Sequence, residues 1–302
     1  MKRCTVVRKF VVPVAALLLL LFPLVATALD RPFYITLVTR ILILGLAASS
    51  LNLILGYGGL VSFGHAAFFG LGGYVVGVLA LNGWQSAWIA WPSAVAVTAL
   101  VGLLIGAISL RTRNVYFIMI TLAFAQMLFF FFTSLRVWGG QDGIRFDRST
   151  VGVVIDLVDN ITFYYVTLVI LAFGLLLLHR LLHARFGHAL RSIKSNESRM
   201  AAIGYPVYGI TLIAFTIAAA LAGLAGVLNA NLNTFISPAS LSWPLSGQLM
   251  MMVILGGVGH FWAGVIGAAL FLLLETVLAG YTIYWQFGLG AILLFMVLKV
   301  LR

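Results

Sequence analysis

HRLLHARFGHALRSIKSNESRMAAIGYP, His179 to Pro206, is the one long interior segment of this 302-residue chain that no bilayer could hold. Five of the 18 Lys and Arg fall inside it, Arg180, Arg185, Arg191, Lys194 and Arg199, and apolar runs close in on both sides. Loops of this kind stay cytosolic, so it orients every span around it. Within it Phe186, Leu190, Ile193 and Met200 recur at helical spacing, while Arg191, Lys194, Ser195 and Ser198 fall elsewhere on the wheel. Gly204 followed by Pro206 is a helix stop. The segment therefore reads as an amphipathic helix from Phe186 to Ile203, its apolar face buried either on the protein's own helix ends or in a partner's groove. A solvated basic loop that only sets topology is the alternative.

Working outward, the composition excludes a soluble class: 63% hydrophobic, 8% charged, mean hydropathy +1.15. The expected fold is all-α, a polytopic transmembrane helical bundle. A net charge of +11 does not mark a nucleic-acid binder, because the bases sit in short clusters between apolar runs, where they act as topogenic charge beside anionic lipid. Cys4 stands alone, and no His/Cys cluster has metal-ligand spacing, so neither metal nor redox cofactor is indicated.

Residues 1–30 form an N-terminal membrane anchor of signal-peptide-like pattern. Lys2, Arg3, Arg8 and Lys9 precede the apolar run Phe10 to Leu29, and Ala26-Thr27-Ala28 has the form of a cleavage site. The second span, Phe33 to Leu55, carries Arg40, expected to snorkel to the outer head groups in preference to forming an ion pair in the bundle. Gly56-Tyr57-Gly58-Gly59 breaks the apolar run, which resumes from Ala66 to Leu81. Further spans follow at Trp88 to Leu110, Asn114 to Leu135, Ile161 to Leu182 and Val207 to Ala230. The stretch Arg136 to Asn160, with four of the seven acids, reads as an external loop.

Leu245 to Leu278 is too long for one span, and Gly256-Gly257-Val258-Gly259-His260 divides it. If Lys299 and Arg302 lie inside, the broken segment begins and ends outside, as a re-entrant half-helix would allow. Thirteen bases are then cytosolic and four external. A glycine-broken helix in each half of the chain points to a transport pathway. Polar groups at membrane depth must be paired or wet, which makes Asn52, Ser62, His65, Gln126 and Gln248 the candidate lining.

The motifs add a resemblance. Ser50-Leu51-Asn52-Leu53-Ile54-Leu55-Gly56-Tyr57-Gly58-Gly59, continuing through Ser62-Phe63-Gly64-His65 to Gly70, closely resembles inner-membrane permeases of branched-chain amino acid ABC importers, of the LivM type. VYFIMITLAFAQML at Val115 to Leu128, GGQDG at Gly139 to Gly143, SPASLSW at Ser237 to Trp243 and the run Leu249 to Gly259 look like the same family, in colinear order from about Ile35 to Val297. The resemblance implies that residues 31–302 are a permease domain of the bacterial inner membrane, with a cytosolic coupling segment at 183–206. It also implies four kinds of partner: a second permease subunit, two ATP-binding subunits, a periplasmic solute-binding protein and the lipid around them. Phe186, Leu190, Ile193, Glu197, Met200 and Gly204 become the candidate contacts to the ATPase, Ile193 and Met200 buried in its groove and Lys194 at the rim mattering less. Pro206, Thr211, Gln248 and Ala263-Gly264 depart from the usual family pattern and leave the cargo open between branched-chain amino acids and urea or short amides.

Two other classes stay in view. An ion-coupled secondary transporter would need a relay, and Glu275, His65 and His260 are its only intramembrane candidates. An intramembrane enzyme would need Ser62 and His65 to act together as nucleophile and base. No phosphate-binding G-x-x-x-x-G-K-[ST] loop is present, so the chain has no ATPase site of its own.

Overall fold

The computed structural model describes residues 17–24, 27, 32–150, 157–281 and 284–300. Besides the helical stretch 17–24, the helices of the described residues are α1 (Pro32–Asn52), α2 (His65–Leu81), α3 (Ala87–Ser109), α4 (Val115–Ser134), α5 (Asn160–His183), α6 (Arg185–Ser195), α7 (Glu197–Ala202), α8 (Val207–Asn233), α9 (Trp243–Gly256), α10 (Ala263–Tyr281) and α11 (Trp285–Val300). A π-turn, Leu53–Tyr57, extends α1. Strands β1 (Ile144–Arg145) and β2 (Phe235–Ile236) pair antiparallel, Ile144 opposite Ile236. Among the described residues six segments are long and apolar enough to cross a bilayer: Phe33–Tyr57, Ala87–Ser109, Val115–Ser134, Asn160–His183, Val207–Asn233 and Ala263–Tyr281. The chain is an all-α, multi-pass membrane protein.

Helix α8 is the axis, packed on by α1, α2 and α3. Between lipid-embedded helices there is no hydrophobic drive, so close approach rests on small residues. Here the sequence supplies them in register: a side chain at Gly226 would strike the Phe69 carbonyl, one at Gly72 the Gly223 carbonyl, and one at Gly223 the Thr98 side chain. The hydroxyls in these helices mostly turn back on their own backbone, Thr98 onto Ala94 and Thr167 onto Phe163.

Helix α10 runs antiparallel along α1, so that Gly264 meets Ser49 near one end and Arg40 reaches Glu275 towards the other. That pair is loose, 4.0 Å, and the Arg40 side chain stays 51% exposed. Arg40 thus makes a loose ion pair with Glu275 while much of its side chain stays exposed.

The short apolar helix α2 starts within the bundle, against the first turn of α9. His65 is fully buried, Gly64 abuts Thr121 about two turns into α4, and Ser246 Oγ accepts from the Ala66 N–H at 2.9 Å. Much of the 1–30 anchor, with Ala26 and Ala28, lies outside the described residues. Its helical turn at 17–24 lies along α5, where Tyr164 donates to the Leu19 carbonyl at 2.7 Å.

At the β1–β2 end the connections brace one another. Arg148 donates to the carbonyls of Asn231 (3.1 Å), Leu157 and Val158 (both 3.0 Å) and to Asn160 Oδ1 (2.8 Å), with its guanidinium 5.0 Å over Phe163. The Ser149 N–H donates to Asn231 Oδ1 at 2.8 Å.

At the opposite end the expected single helix from Phe186 to Ile203 is two. Asn196 leaves helical geometry at φ −159°, ψ 99°, and its Oδ1 accepts from the Arg199 N–H at 2.9 Å, capping α7.

Candidate functional site

The two glycine breaks meet at the α6 end. In the first, α1 widens into the π-turn, and the Gly58 and Leu60 N–H groups reach back to the Leu53 and Ile54 carbonyls. Widening a helix by a residue re-aims the side chain beside it, a device that recurs at functional sites. Here that side chain is Asn52, 2% exposed. Its Nδ2 donates to the His260 carbonyl at 2.8 Å and its Oδ1 accepts from the Gly259 N–H at 3.1 Å. One amide thus holds one donor and one acceptor of the second break. The fit demands glycine: a Cβ at Gly56 would strike Asn52 Oδ1 and come within 2.7 Å of the Gly259 nitrogen, and Gly259 itself sits at φ +84°.

Lys194 of α6 joins this clasp, its Nζ donating to the Gly56 carbonyl at 2.7 Å. Sequence reasoning placed Lys194 at a rim, where it would matter little. The structure makes it the polar bond from the amphipathic helix to the first break. The apolar face of that helix is spent on the protein itself: Leu190 is fully buried, Ile193 and Met200 are 7% and 9% exposed, and Phe186 packs half-buried on the core. These four residues seat the helices against the bundle, including α8 and the π-turn. Glu197 pairs with Arg113 of the α3–α4 turn at 3.0 Å. What faces outward is the tip, Ile203 at 65% and Tyr205 at 48% exposed, turned by Gly204 at φ +92° with open space around it.

The other candidate lining residues are not brought together with Asn52. Ser62 is buried, and its Oγ accepts from the Gly64 N–H at 3.2 Å. His65 Nε2 lies 2.8 Å from Ser50 Oγ, whose proton goes to the Ala47 carbonyl, so His65 donates through Nε2. Its Nδ1 is buried without a partner among the described residues. Ser62 and His65 therefore form no nucleophile–base pair.

Gln126 lies on α4, the span least covered by the chain, half-buried beside exposed Met127, Phe130 and Phe131 in a groove of about 690 Å³. Gln248, also half-buried, lies on α9 next to the open space at Gly247. Neither amide has a hydrogen-bond partner among the described residues.

A family model described as branched-chain amino acid transport system / permease component matches residues 33–298. The chain belongs to that family. Among similar curated proteins, this permease is 28% identical to the high-affinity branched-chain amino acid transport system permease protein LivM of Salmonella typhimurium over 309 residues, 93% of this chain and 73% of that protein. The Escherichia coli K12 protein of the same description gives 28% over 312 residues, with the same coverage. A probable branched-chain amino acid transport permease protein LivM of Methanocaldococcus jannaschii is 25% identical over 208 residues, 65% of this chain and 59% of that protein. No solved structure gives a significant match. Membership makes the permease a transport component and not a catalytic enzyme.

Sequence reasoning missed the Asn52 clasp and the Lys194 bond. One signal could have found them: Ile54-Leu55-Gly56 is echoed by Ile254-Leu255-Gly256, and two breaks that each lack helical partners have free backbone groups to offer one another.

Proposed function

We propose that this permease is a membrane subunit of an ATP-driven importer of the bacterial inner membrane, carrying branched-chain or related amino acids delivered by a periplasmic binding protein. It works beside a second permease subunit and two ATP-binding subunits. The observation that carries the reading is the clasp, in which Lys194 of the loop helix and Asn52 of the first break tie three elements at one end of the bundle. An ATPase acting on that loop has a direct mechanical path to both broken helices, since a rigid element must transmit its two positions. The second permease subunit covers α4, where Gln126 and its exposed neighbours lie unpartnered at membrane depth and a partner amide or enclosed water would satisfy the side chain.

Orientation follows from the bases. The α6–α7 end and the C-terminus are cytosolic and the β1–β2 end is external. Single cysteines at Lys194, Asp147 and Lys299 check it with an impermeant reagent in sealed cells: only Asp147→Cys is expected to label from outside. Labelling of Lys194→Cys there would overturn the orientation.

Coupling falls on the exposed tip, because the apolar face of α6 and α7 is already occupied. Tyr205→Asp, which touches no buried contact of the bundle, should uncouple ATP hydrolysis from uptake in the reconstituted transporter by tenfold or more while the permease still inserts. This follows from burying a charge in an apolar groove of the ATPase. Parental uptake with the ATPase still attached would remove the tip from the path.

A further inference from the structure

Beside the clasp, between α6, the end of α5 and the second break, lies a cavity of about 880 Å³. Its charged wall is basic throughout: Arg191, Lys194, His183 and His260. No carboxylate answers them, since the ion pairs among the described residues are Arg40 with Glu275 and Arg113 with Glu197. The donors are only partly spent. Lys194 uses one N–H on the Gly56 carbonyl. Arg191 lies 5.0 Å over the Tyr57 ring and touches the Leu182 carbonyl with one nitrogen at 3.4 Å. His183 and His260 each donate the Nδ1 proton to a backbone carbonyl, at 2.8 and 3.3 Å, so Nε2 of either can donate to an anion only in the imidazolium form. Two fixed cations and two imidazoles around one space are a site for a phosphate group.

The other wall is apolar. Trp262 and Ile266 line it, and Ile266, half exposed, begins a row on α10 that continues through exposed Leu273 and Val277. A basic pocket that opens onto a lipid-facing helix suits a headgroup with acyl chains attached, and free phosphate would leave this wall bare. We propose that the cavity holds the phosphate of an anionic phospholipid from the cytosolic leaflet, which would bridge α6 to both glycine breaks. The choice of leaflet rests on the orientation proposed above.

The test is native mass spectrometry of the full transporter titrated with phosphatidylglycerol, phosphatidylcholine or inorganic phosphate. Phosphatidylglycerol is expected to bind and phosphatidylcholine not. Arg191→Gln should weaken the binding about five-fold, the contribution of one base near a charged headgroup, and Arg191→Lys should restore most of it. Equal binding of the two lipids, or parental binding by an Arg191→Gln, His260→Gln double variant that elutes as a folded complex, overturns the proposal. Displacement of the lipid by an equal concentration of inorganic phosphate overturns it in favour of a free-anion site. A failure of orientation is seen separately in the cysteine labelling, because lipid binding in detergent does not depend on sidedness.

Discussion

Asn52→Leu should leave little uptake and lower the thermal stability of the purified permease by about 1 kcal/mol, the cost of stranding the Gly259 N–H, since the His260 carbonyl still accepts from the Ala263 N–H at 3.1 Å. Leucine fills nearly the same space, so the change removes hydrogen bonds and opens no large cavity. The cost lies at the low end for one group because Gly259 is only half-buried, so water can replace part of what is lost. Transport suffers more than stability, since the second break is then free of the first and motion of α6 moves only one of them. Asn52→Asp keeps the acceptor for the Gly259 N–H and loses the donor to His260, so it should fall between. Parental uptake and an unchanged melting midpoint for Asn52→Leu would show that the clasp is incidental.

Gly226→Leu should prevent folding outright. Its Cβ would overlap the Phe69 carbonyl, a backbone atom that no rotamer change can move aside. Helices α2 and α8 would have to separate, which also opens the contact between Gly72 and Gly223. Overpacking of a core typically costs about 1–3 kcal/mol, and a clash with backbone belongs at the upper end. Lipid offers no hydrophobic compensation for the parted helices. The readout is the yield of monodisperse protein after solubilisation, with Gly209→Leu as control because nothing lies within 4 Å of that position. Equal yields would mean that the α2–α8 crossing does not carry the fold.

Much of this architecture was legible because a bilayer allows few solutions. Apolar runs of spanning length must be helices, and basic clusters must sit between them, so the spans from Phe33 onward emerge close to where α1, α3, α4, α5 and α8 lie. That helix does not run on past Tyr57 or Gly256 agrees with the sequence, since three closely spaced glycines do not continue a helix cheaply. The site was less so. Helical spacing shows that Leu190, Ile193 and Met200 share a face, but it cannot say against what the face is buried, and the answer here is the permease itself. Gln126 and Asn52 look alike in sequence, each an amide in an apolar run. One closes an internal gap and the other lies on the least covered helix, a difference set by tertiary packing alone. Lys194 was misjudged because a lysine in a basic loop has many solvated partners, and only the fold brings the Gly56 carbonyl within its reach.

The bracing of the β1–β2 end gives the molecule an uneven compliance. There the connections are cross-linked by backbone pairing of Ile144 with Ile236, by the fan of bonds from Arg148, and by the exchange between Thr150, Gln85 and Ala87. At the other end a single amide links the two breaks, and a single ammonium links α6 to the first of them. A lever so built has its fulcrum at the β1–β2 end, and small work done on the loop is converted into wide displacement where the two breaks meet. Deuterium uptake should accordingly be fast over 56–64 and 256–262 and slow over 144–150 and 234–237, whether or not the transporter is turning over.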